Sequence, residues 1–386
     1  MRKRFRNYGI GGAFIVAIAA ALWFGFSDHM SLLDRSTRIT SVRGWGMEQP
    51  NIAGLLDLGL LTADRSQYQW IGNRQILFFH DLKSVQATIF PPGGTSTRAR
   101  VVLNRPASPA TPTLYDVATH REQALPKLAE LFHLNNNNVH KALVSIDSTR
   151  LCWHDNQSQF HIAMLDGSQH AQFVNRTDVG AGWPQDSTQL YTYGWARSTN
   201  KHVKGVPKID TIAVNLWDRN NGKSLGRRLF VAPTNYDAIG DCTLLSNGGL
   251  AANSLEQGHT SLTLYRIPPA LNSGTHSVTP ALPSDAMVEA LVYSPQGDRL
   301  AWIIDRDVPS PFAFLSHWFP RYAPASRRTT SLWVSGTLGE NLHEIGHLSF
   351  QPRRQQFCLL DYVRWQPDEK TLSFVSKDFL YTVPAD

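Results

Sequence analysis

Six times between residues 70 and 374 the chain repeats one short pattern, and this limits the fold more than any other feature of the sequence. An apolar residue or Thr is followed by a turn of Gly, Asn, Asp, Ser or Pro, and seven residues on a Leu opens a small apolar run. The instances are Trp70 to Leu77, Val144 to Leu151, Trp183 to Leu190, Thr243 to Leu250, Tyr293 to Leu300 and Trp365 to Leu372. Two residues past each Leu stand Phe79, Trp153, Thr192, Ala252, Trp302 and Phe374, the alternate spacing of a strand that buries one face. Each unit then carries a second alternating run: TLYDV at 113, HIAML at 161, IAVNL at 212, LTLYR at 262, LWVSG at 332 and LYTVP at 380. Four of these runs lead into a Gly turn, at Gly167, Gly222, Gly274 and Gly339. Such turns suit hairpins because Gly tolerates positive φ.

Each unit therefore reads as strand, turn, strand, variable loop, strand, turn, strand. The Leu positions are 74, 39, 60, 50 and 72 residues apart. The shortest interval matches the ~40 to 45 residues of a bare four-stranded propeller blade, so the longer ones are blades with insertions. A four-stranded sheet buries its faces only by stacking, and radial stacking leaves few exposed edges. The sequence thus predicts an all-β protein, a six-bladed β-propeller over residues 67–386. Two β-sandwiches of three units each would also accept alternating strands, but they have no need of one turn at one fixed distance six times.

SPQGDRLAW at 294, followed by LWVSGTLGENLHEIG at 332, resembles the repeat of TolB-like propellers, and WQPDEKTLSFVS at 365 and WPQDSTQLYTY at 183 are similar to it. The TolB-like, or WD40-like, repeat runs Ser-Pro-Asp-Gly, a small apolar strand, a loop, then a strand ending in Asp-x-x-Gly. This chain departs from it with Gln296 in the Asp position and with no proline in the units at 144 and 243. The resemblance covers about 300 residues and implies a binding scaffold of the periplasm or cell envelope. It is an analogy of fold, and function has to be argued from a site.

Ahead of the repeat, Ile10 to Phe26 runs without a charge behind MRKRFRNY. Its seventeen residues would span about 25 Å as a helix, just enough for the ~30 Å hydrocarbon core of a bilayer. The basic residues stay cytoplasmic by the positive-inside rule, which puts the body outside: extracytoplasmic, and periplasmic in a Gram-negative cell. The expectation is a basic stub and signal anchor over residues 1–26, with a single N-terminal transmembrane helix. A stalk able to supply a ring-closing strand follows over 27–66. A cleaved signal peptide with Ala19 and Ala21 at the small-residue positions is the competing reading, opposed by the apolar Leu22, Trp23, Phe24 and Phe26 beyond them.

The formal charge is +6, but Arg2, Lys3, Arg4 and Arg6 lie ahead of the apolar segment, leaving +2 for the rest, which is no argument for a nucleic-acid partner. Three Cys exclude a disulfide framework; a bridge between any two of Cys152, Cys242 and Cys358 stays open. No alternation of helix and strand is present to carry a nucleophile elbow, and there is no phosphate-binding Gly loop. His343 and His347 read as solvated rather than as metal ligands, and Asp305-Arg306-Asp307 reads as a solvated loop start. No cofactor, metal or catalytic residue is assigned.

The odd-numbered units carry long insertions between their second and third strands, at about His80 to Thr111, Gly194 to Asp210 and Asp305 to Thr330. In a propeller all such loops leave on one face, and loops on a rigid scaffold are where binding lives. The third insertion holds Phe312, Phe314, Trp318, Phe319 and Tyr322, and the second holds Lys201, Lys204 and Lys208. These are the candidate partner-binding residues, set against the readings that the aromatics cover their own blade and the lysines are merely solvated. The expected function is a non-enzymatic protein-binding scaffold of the cell envelope whose partner is an envelope protein or other extracytoplasmic macromolecule. The alternative is a polysaccharide lyase or hydrolase with a site at the central channel.

Overall fold

A computed structural model describes residues 31–41, 67–79, 85–89, 99–103, 112–134, 140–154, 159–174, 178–184, 188–196, 211–231, 242–255, 262–269, 275–309, 313–315, 317, 326–349, 361–376 and 379–386. The protein is a six-bladed β-propeller with very few helices. Every blade is a four-stranded antiparallel sheet. Blade 1 is built from Gln67–Ile71, Gln75–Phe79, Thr113–Asp116 and Arg121–Ala124; blade 2 from His140–Val144, Arg150–His154, Gln159–Met164 and Ala171–Val174. Blade 3 comprises Asp178–Gly182, Gln189–Ala196, Thr211–Asp218 and Ser224–Val231, and blade 4 Cys242–Leu244, Leu250–Leu255, Leu262–Ile267 and His276–Val278. Blade 5 comprises Ala286–Tyr293, Arg299–Pro309, Ser326–Gly336 and His343–Ser349.

Blade 6 takes three strands from the C-terminus, Asp361–Trp365, Thr371–Ser376 and Phe379–Pro384, and its outer strand from Thr37–Ser41, which runs antiparallel from Thr37↔Thr382 to Ser41↔Phe379. The ring is closed by joining the two ends of the chain. The short helix Ser31–Asp34 ahead of that strand buries Leu32 among Leu332, Ile345 and Val363. Residues 10–26, the expected anchor, lie outside the described residues, and no described helix is long and apolar enough to cross a membrane.

The seams between blades are the core. Six apolar clusters among the described residues each join two neighbouring blades, for example Tyr191, Ile212 and Phe230 of blade 3 with Leu244, Leu250 and Tyr265 of blade 4. Helix Pro126–Leu134, opened by a proline whose missing N–H costs nothing at a first turn, follows the wholly exposed outer strand of blade 1. Its Leu128 and Phe132, one turn apart, seal the seam to blade 2, with Phe132 edge-on to Trp153 at 5.0 Å.

All six repeat leucines are fully buried, and each stands in the second strand of its blade. In blades 2, 5 and 6 the first position of the pattern pairs directly with the Leu seven residues on: Val144↔Leu151, Tyr293↔Leu300 and Trp365↔Leu372. Blades 1 and 4 depart, because their turn is one residue shorter and the pairs are Trp70↔Ile76 and Leu244↔Leu250. In blade 4 the slip falls on Thr243 and Leu250 keeps its place. In blade 1 it falls on Leu77, which faces blade 2, while Ile76 and Phe78 take the place against blade 6. A shift of one residue in a strand moves a side chain to the other face.

Candidate functional site

Because sequential strands in each blade are antiparallel neighbours, the first and third turns lie at one end of the blade and the second-to-third connections at the other. The second end, the loop face, is where the odd-numbered blades are enlarged. Blade 1 inserts a separate hairpin, Val85–Ile89 paired with Ala99–Leu103. In blade 3 the central strands run eight residues each. In blade 5 they run eleven and stay paired from Arg299↔Gly336 to Pro309↔Ser326.

Measured from the repeat leucine, the second strand of blade 5 passes the end of its counterpart in blade 4 by four residues. At about 3.3 Å per residue this is an arm of ~13 Å. The expected loop Asp305 to Thr330 is therefore strand at both its ends, and Asp305-Arg306-Asp307 is not a solvated loop start. Asp305 is buried and accepts a hydrogen bond of 2.6 Å from Thr330 Oγ1. Arg306 Nε donates to both carboxylate oxygens of Asp285 at 3.1 and 3.2 Å, and its guanidinium holds that carboxyl below the usual carboxylate range. Ser331 Oγ donates to the Ile304 carbonyl while accepting from the Trp333 indole N–H. The base of the arm is thus fixed by paired polar groups.

In the connection between these two strands a single 3-10 turn, Ala313–Leu315, carries Phe314 with 73% of its surface exposed. A large aromatic left in water contributes nothing to the core of its own blade. Of the other expected binding residues, Phe312, Trp318, Phe319, Tyr322, Lys201, Lys204 and Lys208 lie outside the described residues.

The opposite face has a cleft of about 330 Å³ between blades 3 and 4, lined by Gln189, Leu216, Arg228, Leu244, Leu245 and Ser246. On the same side Arg150, buried, donates from Nη2 to Gln169 Oε1 and Asn220 Oδ1, both at 2.7 Å, and so ties blade 2 to blade 3. Burial, and then the Arg219 charge, lower its pKa. The periodicity gave no sign of a third arrangement, in which His161 and His170 stack on Trp153 with 3.1 Å between His161 Nδ1 and His170 Nε2. The only signal available was His161 in a strand whose alternation points it inward.

His343 is exposed and bonds the Asn341 carbonyl, whereas His347 meets Ser31 and Glu344, so the pair is not joined. Cys152 and Cys242 are buried and are not bridged to each other, and burial pushes the Cys152 thiol well above its ordinary range. Among the described residues no three His, Cys, Asp or Glu side chains converge where they could hold a metal ion.

No family model and no curated protein sequence matches the chain. Solved structures of similar shape include a chain from the mitotic checkpoint complex, 13% identical over 85% of this chain and 94% of that one, with a TM-score of 0.38. The tricorn protease is 13% identical over 82% of this chain, which spans 33% of it, with a TM-score of 0.40. The hydrazine synthase of Kuenenia stuttgartiensis is 12% identical over 75% of this chain and 70% of that one, with a TM-score of 0.37. Likeness at this level names no family and no activity.

Proposed function

We propose that this protein is a membrane-anchored, extracytoplasmic binding scaffold of the TolB-like kind, which holds an envelope protein or other extracytoplasmic macromolecule on its loop face. The observation that carries the reading is Phe314, exposed in the connection of a hairpin whose base is locked by Asp305, Thr330 and the Arg306–Asp285 pair. An anchor residue presented on a rigid element loses little conformational freedom when it is covered, and so favours tight binding. The charge-free run Ile10 to Phe26 behind four basic residues supports the anchor and the placement of the body outside.

The test is a triple change, Phe314→Ala with Trp318→Ala and Phe319→Ala, in the full-length protein in its native membrane. Partner capture by crosslinking and the melting temperature are read on the same variant. The expected result is capture at least ~10-fold weaker with melting unchanged, since buried aromatic anchors commonly supply a few kcal/mol of an interface. A lowered melting temperature with capture per folded molecule intact would mean that these rings cover their own blade, and would end the reading.

A further inference from the structure

An outer strand of a propeller blade is a sheet edge, and five of the six edges here are short or capped. The outer strands of blades 1 and 2 have four residues each, that of blade 4 three, and that of blade 6 five. Blade 5 has a longer one, His343–Ser349, but the N-terminal segment covers it: the His347 N–H donates to Ser31 Oγ at 3.0 Å and Arg35 Nη1 donates to the Ile345 carbonyl at 2.7 Å. These are ordinary devices for keeping an edge from recruiting another strand.

Blade 3 lacks both devices. Its outer strand Ser224–Val231 is the longest of the six at eight residues, and no described element lies on it. Phe230 points into the seam with blade 4, so the alternate residues Leu229 and Val231 point to the blade 2 side. There the outer strand of blade 2 is half as long, and the two side chains stand 47% and 38% exposed, with Leu225 at 52%. Three of the five large apolar side chains exposed among the described residues thus lie in this one strand.

We propose that Ser224–Val231 is a docking edge that accepts an extended, acidic segment of a partner protein as a fifth strand of blade 3. The strand's unused backbone groups give the hydrogen bonds, Leu229 and Val231 give an apolar ledge, and charge selects the occupant. Arg227 and Arg228 are exposed on opposite sides of the strand, Lys223 is exposed just ahead of it, and the strand holds no acidic residue. A second copy of the chain paired here would set Arg against Arg, which is unfavourable across strands; a segment with adjacent acidic residues would pair with both. This edge is separate from the loop-face reading and does not rest on it.

The test uses the full chain in detergent and two fluorescein-labelled octapeptides of alternating Val and Thr, one with two central Glu residues and one with two central Lys. Fluorescence anisotropy is expected to show the Glu peptide binding at least ~10-fold tighter, with Arg227→Glu/Arg228→Glu reversing the preference. Hydrogen exchange should show new protection confined to 224–231 when the Glu peptide is bound. Arg227→Gln/Arg228→Gln, which adds no new charge, should abolish the preference without reversing it, and Phe314→Ala should leave peptide binding as it was. Equal binding of the two peptides, no binding of either, protection elsewhere, or concentration-dependent self-association through 224–231 would each overturn the proposal.

Discussion

Ser373 holds together the seam where the first blade meets the last, and its replacement by Ala is the sharpest test of how that seam is built. Its hydroxyl lies 2.7 Å from Trp70 Nε1 and 2.8 Å from the Tyr68 hydroxyl, and all three residues are buried. Tyr68 has a second partner, donating to the Tyr362 carbonyl at 2.7 Å, and burial pushes its phenol well above the ordinary range, so it remains a donor. The Trp70 indole relies on Ser373. Ser373→Ala removes one oxygen and leaves that N–H buried without an acceptor, a loss of about 1–3 kcal/mol rather than the ~1 kcal/mol of a hydrogen bond exchanged with water.

Trp70→Phe in the same background removes the stranded donor, so the double variant should be less destabilised than the two single changes added together, by roughly 1–2 kcal/mol. Urea unfolding of all four proteins, followed by far-UV circular dichroism at constant m-value, gives the cycle. Additivity within about 0.5 kcal/mol would show that Trp70 and Ser373 act independently, and would refute this account of the seam.

Leu300→Asp should cost several kcal/mol, because it puts an unpaired carboxylate beside Trp302 and Ile304 in the seam between blades 4 and 5; a variant with the wild-type urea midpoint would contradict the stacking. Stability should also fall in acid through His170. Partial desolvation where its still exposed ring stacks on Trp153, and then the neighbouring His161, lower the pKa of His170 in the folded state. The unfolded chain therefore takes the proton first, so the stabilisation is complete above about pH 6.5 and shrinks as pH drops from there towards the lower folded value. His170→Asn should flatten the pH dependence of the urea midpoint between pH 8 and 5, and an unchanged slope would exclude this site as its source.

The ring was legible because six leucines recur with one kind of turn, and a fold built from a repeat states its rule six times. What the spacing could not supply was the length of each individual turn. Trp70 to Leu77 matches the pattern at seven residues, yet the chain closes the turn through Gly72, Asn73 and Arg74 alone and pairs Trp70 with Ile76. Both candidates are apolar and both are buried, so composition does not distinguish them; only the register does, and it decides which blade each one touches. A mirror case is Glu369, which stands at the left-handed position, φ +57°, of a turn where Gly248 and Gly297 occupy the equivalent place. Its carboxylate accepts the Gln296 backbone N–H of the neighbouring blade, a tertiary contact that offsets the local cost and that no turn rule contains.

The candidate surfaces were harder to read for the opposite reason. Asp305 to Thr330 is visible as an insertion because it breaks the repeat, but an interruption carries no periodicity of its own to mark the strands that extend through Pro309 and Ser326. The blade 3 edge does not interrupt anything. SLGRRLFV alternates as acceptably as any half-buried strand, and Leu229 would be covered if blade 2 had an outer strand of equal length. Its exposure is set by Ala171–Val174, more than fifty residues earlier in the chain, which ends after four residues. In a ring of stacked sheets, whether a rim side chain is core or surface depends on how far the neighbouring blade extends. A binding edge on such a fold can therefore be found only by comparing adjacent blades, never by reading the strand that forms it.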